Sequence, residues 1–186
     1  ATSVLTENDF MELAKIVRDA DVAIISDEVY EHIVFDGLKH LSISRFPELK
    51  ERSFVIASFG KLYHITGWKV GYCLAPEPMT KEFRKVHQFN VFCVNTPVQY
   101  GLAEFLKRKD AYLSLPEFFQ KKRDFFIDGL IQSKFKILKP KGSYFLLADY
   151  SEISGLNEFE FAKWLTVNHK VAVIPVSAFY DDPPEQ

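Results

Sequence analysis

Cysteine is scarce in this sequence, and its scarcity excludes two classes of small stabilised domain. Only Cys73 and Cys93 occur among 186 residues, without a Cys-x-x-Cys pair or a second pair. A disulfide framework or a zinc site needs more thiols at closer spacing, and the five histidines add no metal-binding pattern. Unpaired thiols are typical of reducing compartments, so the composition predicts a cytoplasmic protein with no metal site.

Long apolar runs and blocks of like charge are also absent. No run reaches the roughly 18 apolar residues of a membrane-spanning helix, and we expect no signal peptide from the shape of the opening residues. The 23 basic residues are interspersed with 25 acidic residues, which gives a formal net charge of −2. Such a surface does not favour binding to nucleic acid phosphates. We therefore expect neither a membrane nor nucleic acid as a partner.

The apolar content, by contrast, is sufficient for a packed core. Hydrophobic residues make up 47% of the chain, whose length suits one large or two small domains. A helix start at Thr6, with Asp9 three residues later, is followed by apolar residues at helical spacing up to Asp19. Short apolar strands are predicted over residues 22–26 and 54–58. This order of elements is typical of a parallel sheet covered by helices.

A third strand is predicted over residues 67–76. Too little chain separates it from the second strand for a helical crossover of about a dozen residues, so we expect it to run antiparallel. Two covering helices are predicted to begin near Thr80 and at Thr96. The apolar face of the first is predicted to contain Phe83 and Val86, with Phe89 or Val91.

From residue 110 onward the order of elements changes. A long amphipathic helix is predicted over residues 112–130, and its charged stretch 120–124 is interpreted as solvent-exposed. Strand, strand, helix and strand follow, which is typical of an α+β unit; they are predicted over residues 135–138, 143–149, 157–169 and 171–174. We place a domain boundary near residue 110, so that residues 1–110 belong to a large domain and residues 111–186 to a small domain with the connecting helix.

Polar side chains follow the first two predicted strands at the point where each strand ends. Asp27 and Tyr30 come after the first strand, and Ser58 and Lys61 come after the second. Ligands of open α/β sheets bind beyond the carboxyl ends of the strands. We therefore expect these four side chains to converge on one site.

A lysine at such a site can react with a carbonyl group if nearby apolar side chains desolvate its amine. Lys61 has four such neighbours in sequence, namely Phe59, Leu62, Tyr63 and Ile65. Pyridoxal phosphate is the carbonyl cofactor that best accounts for the other groups. Asp27 would bind its ring nitrogen, Tyr30 its phenolic oxygen, and Ser58 with Lys69 its phosphate. Lys61 would also act as general base and acid.

Three motifs carry a resemblance to a known family: Asp27-Glu-Val-Tyr30, Ser58-Phe-Gly-Lys61 and Thr66-Gly-Trp-Lys69-Val-Gly71. Together they resemble the core of class I aminotransferases of the aspartate aminotransferase fold type. Lys69 replaces the arginine of most members, as in the kynurenine aminotransferase and glutamine transaminase K group. Bacterial methionine aminotransferases are similar in further stretches, which are Val86-His-Gln, Asn95-Thr-Pro and Lys141-Gly-Ser-Tyr-Phe145.

The resemblance implies an α/β fold: the large, mostly parallel-sheet domain of a pyridoxal-phosphate-dependent transferase of fold type I, followed by an α+β small domain. It implies Lys61 as the Schiff-base lysine, Asp27 and Tyr30 as ring-binding residues, and Ser58 and Lys69 as phosphate-binding residues. It also implies a homodimer acting on a 2-oxo acid and an amino acid of methionine, aromatic or glutamine type. Further segments of such enzymes precede and follow these motifs, so we expect the chain to be a central part of a longer protein.

Two other functions stay open at the level of sequence. The same residues could support a pyridoxal-phosphate-dependent β-lyase acting on cysteine conjugates, because a carbanion at the substrate Cα can also expel a β leaving group. The chain could also be a non-catalytic aminotransferase-like regulator domain or fragment, although it shows no basic recognition helix. The motifs do not discriminate among these functions.

Overall fold

The computed structural model describes residues 2–182. Its helices and strands are, in chain order, α1 (Glu7–Val17), β1 (Ile24–Asp27), α2 (Pro47–Lys50), β2 (Ser53–Ser58), α3 (Phe59–Leu62), β3 (Gly71–Leu74), α4 (Glu77–Asn90), α5 (Thr96–Phe105), α6 (Asp110–Leu113), α7 (Leu115–Leu130), β4 (Lys136–Leu138), β5 (Leu147–Asp149) and α8 (Glu158–His169). Short 3-10 turns occupy Ile43–Arg45, Thr66–Trp68 and Val176–Phe179. None of the helices between residues 2 and 182 combines the length and apolar character that a bilayer crossing requires.

The main sheet contains β1, β2 and β3 in that order. β1 runs parallel to β2, with Asp27 opposite Ile56. β3 pairs with the other edge of β2 in the antiparallel direction, with Gly71 opposite Ser58. The antiparallel direction predicted from the short connection is thus confirmed. The third strand is shorter than expected because the turn at Thr66–Trp68 occupies its predicted start.

The two faces of this sheet differ in burial. Alternate residues of β2 are buried on the core face, namely Ser53, Val55 and Ala57. The core on that face also includes Phe10, Val17, Ile43 and Leu49. On the opposite face Asp27 is exposed, and Ile25 and Ile56 are 71% and 38% exposed. The open face therefore carries the side chain of Asp27, whereas the core face stabilises the sheet.

The amino end of α1 is capped as the sequence predicts. The Thr6 hydroxyl accepts a hydrogen bond from the Asp9 backbone N–H at 3.3 Å, and the Asp9 carboxylate accepts one from the Thr6 N–H at 2.7 Å. This reciprocal capping box satisfies two backbone donors. The helix therefore begins within one residue of the predicted position.

The predicted start of α4 at Thr80 was wrong, and only part of its apolar face packs on the sheet. The helix begins at Glu77, so Thr80 lies inside it and donates its hydroxyl to the Ala75 carbonyl at 3.0 Å. Val86 and Phe89 are 67% and 88% exposed. Phe83 lies against Phe54 of β2, with ring centroids 6.2 Å apart, so α4 contacts the sheet through the amino-terminal part of its apolar face.

The charged stretch of the long helix contains one buried residue, so its interpretation as fully exposed was wrong. The predicted helix is divided into α6 and α7 at Ser114, and Arg123 lies within α7 with only 4% of its side chain exposed. Its guanidinium donates to both carboxylate oxygens of Asp36, at 2.7 and 2.8 Å, and to the Pro140 carbonyl at 3.1 Å. It also stacks 4.7 Å from the ring of Phe35. Arg123 thus joins α7 to two separate loops.

The strands of the second half are shorter than predicted. β4 and β5 form an antiparallel pair, but β5 begins at Leu147 and not at residue 143. Gly142 forms a bridge to Val34 instead, and the Ser143 N–H donates to the Ile33 carbonyl at 2.8 Å. Ser143 has a left-handed φ of 65°, which turns the chain out of the extended path.

The predicted strand over residues 171–174 was wrong. These residues form no strand, and Val171 and Ile174 are 51% and 64% exposed. A strand needs a partner for its backbone groups, and the described part of the chain offers none here. The preceding helix α8 is capped by Asn157, as expected, through a 3.0 Å hydrogen bond from the Glu160 N–H.

Candidate active site

The carboxyl end of β2 carries Ser58, the N-terminal cap of α3. The Ser58 hydroxyl accepts a hydrogen bond from the Gly60 N–H at 3.1 Å, while its own proton is donated to no residue between 2 and 182. Antiparallel pairing with β3 continues beyond the strand through the Phe59 N–H, which donates to the Val70 carbonyl at 3.2 Å. This pairing brings Lys69, the residue before Val70, to the same end of the sheet as Ser58.

Gly71 allows β2 and β3 to approach closely at this position. A Cβ atom placed on Gly71 would lie 2.4 Å from the Ala57 carbonyl oxygen, a distance too short for a non-bonded contact. The residue therefore has to be glycine for the strands to keep their pairing. The close approach of the two strands thus explains why position 71 is glycine, which the motif alone did not reveal.

Replacement of Gly71 by alanine is expected to destabilise the fold by roughly 1–3 kcal/mol, the usual cost of overpacking. The new methyl group must displace the Ala57 carbonyl, and this movement separates Lys69 from Ser58. Urea unfolding measures the free energy of unfolding. A matched control is Gly67→Ala, because a Cβ on Gly67 meets no atom within 4 Å. Equal stability of both variants would contradict the close approach.

Asp27 ends β1 and points to the open face of the sheet. Its register position opposite Ile56 puts it on the same face as Ser58, two residues further along β2. One carboxylate oxygen accepts a hydrogen bond from the Val29 N–H at 3.1 Å, and the other accepts none from the described residues. The second oxygen of Asp27 can therefore accept a hydrogen bond from a protonated nitrogen of a ligand.

Tyr30 lies in the turn after β1 and lines, together with Asp27, a cavity of about 350 Å³. Its ring contacts Tyr144 edge to face at 5.1 Å. Burial, the neighbouring Tyr144 hydroxyl and the negative charge of Asp27 raise the pKa of Tyr30 above its usual value. The phenol consequently stays protonated at neutral pH and remains a hydrogen-bond donor.

Lys61 is the third residue of α3 and is half-buried. Among the described residues, no side chain or carbonyl pairs with the Nζ atom of Lys61 or of Lys69, whereas the Lys69 backbone N–H donates to the Thr66 carbonyl at 3.3 Å. Lys69 itself adopts a left-handed conformation, with φ 54° and ψ 47°, at the end of its 3-10 turn. Both lysine amines therefore lack a carboxylate partner among the described residues, and Lys69 lies at the same end of the sheet as Ser58.

The five candidate residues form two groups. Asp27 and Tyr30 share the cavity, whereas Ser58, Lys61 and Lys69 lie around the end of the β2–β3 pair and do not line it. These donor types fit pyridoxal phosphate, because a hydroxyl and uncompensated cations suit a phosphate and a carboxylate suits a protonated ring nitrogen. Such a cofactor would bridge the two groups across the open face.

Glu28 is a site residue that the sequence did not reveal. It follows Asp27 but is 6% exposed. Burial alone would raise the pKa of this carboxyl, yet hydrogen bonds from His40, Ile43 and Ser42 outweigh burial and lower the pKa below its usual value. The alternation of β1 could have suggested that Glu28 faces the core, but three of its four partners, His40, Ser42 and Ile43, lie more than ten residues away.

Tyr144 is a second residue that was not assigned from the sequence. It lies between Tyr30 and Phe119, at ring distances of 5.1 and 5.8 Å, and adjoins Phe145. The bridge between Val34 and Gly142 brings it there from the second half of the chain. No local pattern near residue 144 indicates this long-range contact.

The chain is similar in sequence to known proteins. The family model described as aminotransferase class I and II matches residues 2–184. Methionine aminotransferase from Escherichia coli (strain K12) is 48% identical over 98% of this chain and 48% of its own length. Kynurenine–oxoglutarate transaminase 1 from Mus musculus is 35% identical over 97% of this chain and 47% of its own length.

Similarity extends to a solved structure. The crystal structure of YbdL from Escherichia coli, whose title identifies a methionine aminotransferase function, matches with a TM-score of 0.94 and 48% identity. The match covers 98% of this chain and 48% of that one. The chain thus spans about half the length of the curated relatives it matches.

Proposed function

The chain belongs to the class I and II aminotransferase family, and from this premise we propose that the protein transfers an amino group between an amino acid and a 2-oxo acid. This membership confirms the resemblance that the motifs indicated. The structural match confirms the mixed α/β fold of the pyridoxal-phosphate-dependent aminotransferases. The observation that carries the proposal is the β1–β2–β3 arrangement. It presents Asp27 and Ser58 on one open face and Lys69 at the same end.

Pyridoxal phosphate is the cofactor that we propose for this site. When bound, it would supply an electron sink for the negative charge that develops at the substrate Cα. Asp27 would accept the ring N–H, and the protonated Tyr30 would donate to the ring oxygen. The Ser58 hydroxyl would donate to the phosphate, while Lys69 would contribute a positive charge without the two-pronged geometry of arginine.

Lys61 is the proposed catalytic residue. It follows the carboxyl end of β2 as the third residue of α3, and its half-buried amine has no carboxylate partner among the described residues. Lys61 Nζ would hold the cofactor and would accept the proton that leaves the substrate Cα. The same atom would later return that proton, so that Lys61 serves as base and acid.

The proposed amino donor is methionine, an aromatic amino acid or a glutamine-like amino acid. Two observations support this range: the relatives include a methionine aminotransferase and kynurenine transaminases, and Lys69 replaces the usual arginine. We further propose a homodimer for the complete protein and a cytoplasmic location, the latter supported by free thiols at Cys73 and Cys93. The boundary near residue 110 also remains a proposal.

The full-length protein, incubated with pyridoxal phosphate, provides the test. We expect each amino donor tested with a 2-oxo acid to yield the exchanged pair of products in equal amounts, as measured by mass spectrometry. Release of ammonia and pyruvate from a cysteine conjugate, without consumption of the 2-oxo acid, would instead favour the β-lyase. Cofactor binding without turnover of any substrate would favour a regulator domain and contradict the proposed function.

A further inference from the structure

The Glu28 carboxylate is the most completely hydrogen-bonded acidic group near the candidate site. Its side chain is 5% exposed. Four donors surround it: the Ser26 hydroxyl at 3.0 Å, the Ser42 hydroxyl at 3.1 Å, the Ile43 N–H at 3.0 Å and His40 Nε2 at 2.7 Å. A buried carboxylate with this many donors is fixed in one orientation, since any rotation leaves buried donors unsatisfied.

Glu28 lies in the chain directly between Asp27 and the turn that contains Tyr30. Side chains alternate along a strand, so Asp27 projects to the open face while Ser26 and Glu28 project to the core face. The Glu28 N–H donates to the Ile56 carbonyl at 2.7 Å, and its carbonyl accepts from the Glu31 N–H at 2.9 Å. Both the backbone and the side chain of Glu28 are thus held between Asp27 and Tyr30.

One of the four donors to Glu28, the Ile43 N–H, belongs to a residue of the hydrophobic core. Ile43 is 1% exposed and packs with Phe10 and Leu49 in the cluster beneath the sheet. Residues 28–42 contain no helix or strand that could hold the turn in place by itself. Glu28 therefore provides a direct link from the turn that contains Tyr30 to the core.

We propose that Glu28 is a positioning residue that sets the orientation of Asp27 and Tyr30 toward the cofactor ring. This inference rests on the proposed function, because Asp27 and Tyr30 are the residues assigned to the ring. Glu28 lines the same cavity as Asp27 and Tyr30, but its carboxylate is occupied by its four donors on the core side of the sheet. It acts through the backbone on either side of it and through the loop that its carboxylate holds against the core.

Two substitutions test this role in the full-length protein. Glu28→Gln keeps the size of the side chain but removes its charge, and its amide NH2 group replaces the oxygen that faces His40. Glu28→Ala removes the acceptor for all four donors. We expect the affinity for pyridoxal phosphate to fall about tenfold in Glu28→Gln and further in Glu28→Ala, because small displacements of positioning groups have large effects.

A spectroscopic readout separates positioning from a general loss of stability. Tyr30 donating to the ring oxygen favours the deprotonated form of that oxygen. If the loop moves, the pH midpoint of the absorbance change of the bound cofactor should therefore rise. The matched control is Ser53→Ala, which removes a buried 2.7 Å hydrogen bond from Ser53 to the Leu49 carbonyl at the far end of β2. This control should lower the free energy of unfolding without moving the midpoint.

The possible outcomes are distinct. Unchanged affinity and midpoint in both Glu28 variants would overturn the inference while leaving the proposed function intact. A shift of the midpoint in Ser53→Ala as large as that in Glu28→Gln would also overturn it, because general loosening would then explain the result. Failure of the wild-type protein to bind pyridoxal phosphate would overturn both the inference and the proposed function.

Discussion

Replacement of Lys61 by alanine is expected to abolish covalent capture of pyridoxal phosphate and to lower amino transfer by on the order of 10⁴-fold. General acid–base catalysis alone typically contributes 10²- to 10⁴-fold, and Lys61 is assigned both the covalent and the proton-transfer roles. The half-buried amine in α3 has no ion-pair partner among the described residues. Borohydride reduction followed by peptide mapping measures capture, and product formation measures activity.

Two control variants sharpen this measurement. Lys85→Ala removes an exposed lysine that pairs with Glu82 at 2.7 Å, and capture at Lys61 should be unchanged. Lys69→Ala should weaken cofactor affinity while capture still occurs at Lys61, because Lys69 is assigned a phosphate contact alone. Capture that persists in Lys61→Ala, or that is spread over many lysines, would refute the assignment of Lys61.

Replacement of Arg123 by alanine is expected to lower the free energy of unfolding by about 3 kcal/mol. Removal of one partner of a buried ion pair typically costs about 3–5 kcal/mol, and the lower end applies because Asp36 is partly exposed. The substitution also removes the stacking on Phe35 and leaves the Pro140 carbonyl without its donor. Urea unfolding provides the measurement, with Lys121→Ala as the control: this lysine is exposed, and its pair with Glu117 one helical turn away is worth about 0.3–0.5 kcal/mol.

The dependence of the free energy of unfolding on pH provides an independent test of the ion pair between Arg123 and Asp36. The hydrogen bond from Arg123 lowers the pKa of Asp36 in the folded state. Because the folded pKa lies below the unfolded value, the stabilisation is present at neutral pH and is lost as the pH falls through the lowered folded pKa. The difference in the free energy of unfolding between wild type and Arg123→Ala should therefore become smaller in strongly acidic buffer. A difference that is independent of pH would assign the effect to packing alone.

The sequence predicted the parts of the site that depend on strand ends. Asp27 and Ser58 lie at the carboxyl ends of β1 and β2, as expected. The antiparallel direction of β3 followed from the length of the connection, a local quantity. These predictions succeeded because alternation and chain length leave few possibilities.

Alternation and chain length did not predict the long-range contacts. The burial of Glu28 depends on His40 and Ser42, and the burial of Arg123 depends on Asp36, which is 87 residues distant. A charged residue in a polar stretch is usually exposed, and only tertiary pairing reverses this expectation. Helical spacing likewise located the apolar stripe on α4 but could not show that Phe83 packs on Phe54 while Val86 and Phe89 are exposed.

The bridge between Val34 and Gly142 has a consequence for the order of folding during synthesis. Residues 33–35 exchange backbone hydrogen bonds with residues 141–143, more than 100 positions later in the chain. While the ribosome is still adding the intervening segment, the turn that contains Tyr30 lacks these partners. We expect β1 and β2 to pair early, whereas the loop behind Asp27 and Tyr30 becomes ordered only after Ser143 has left the exit tunnel.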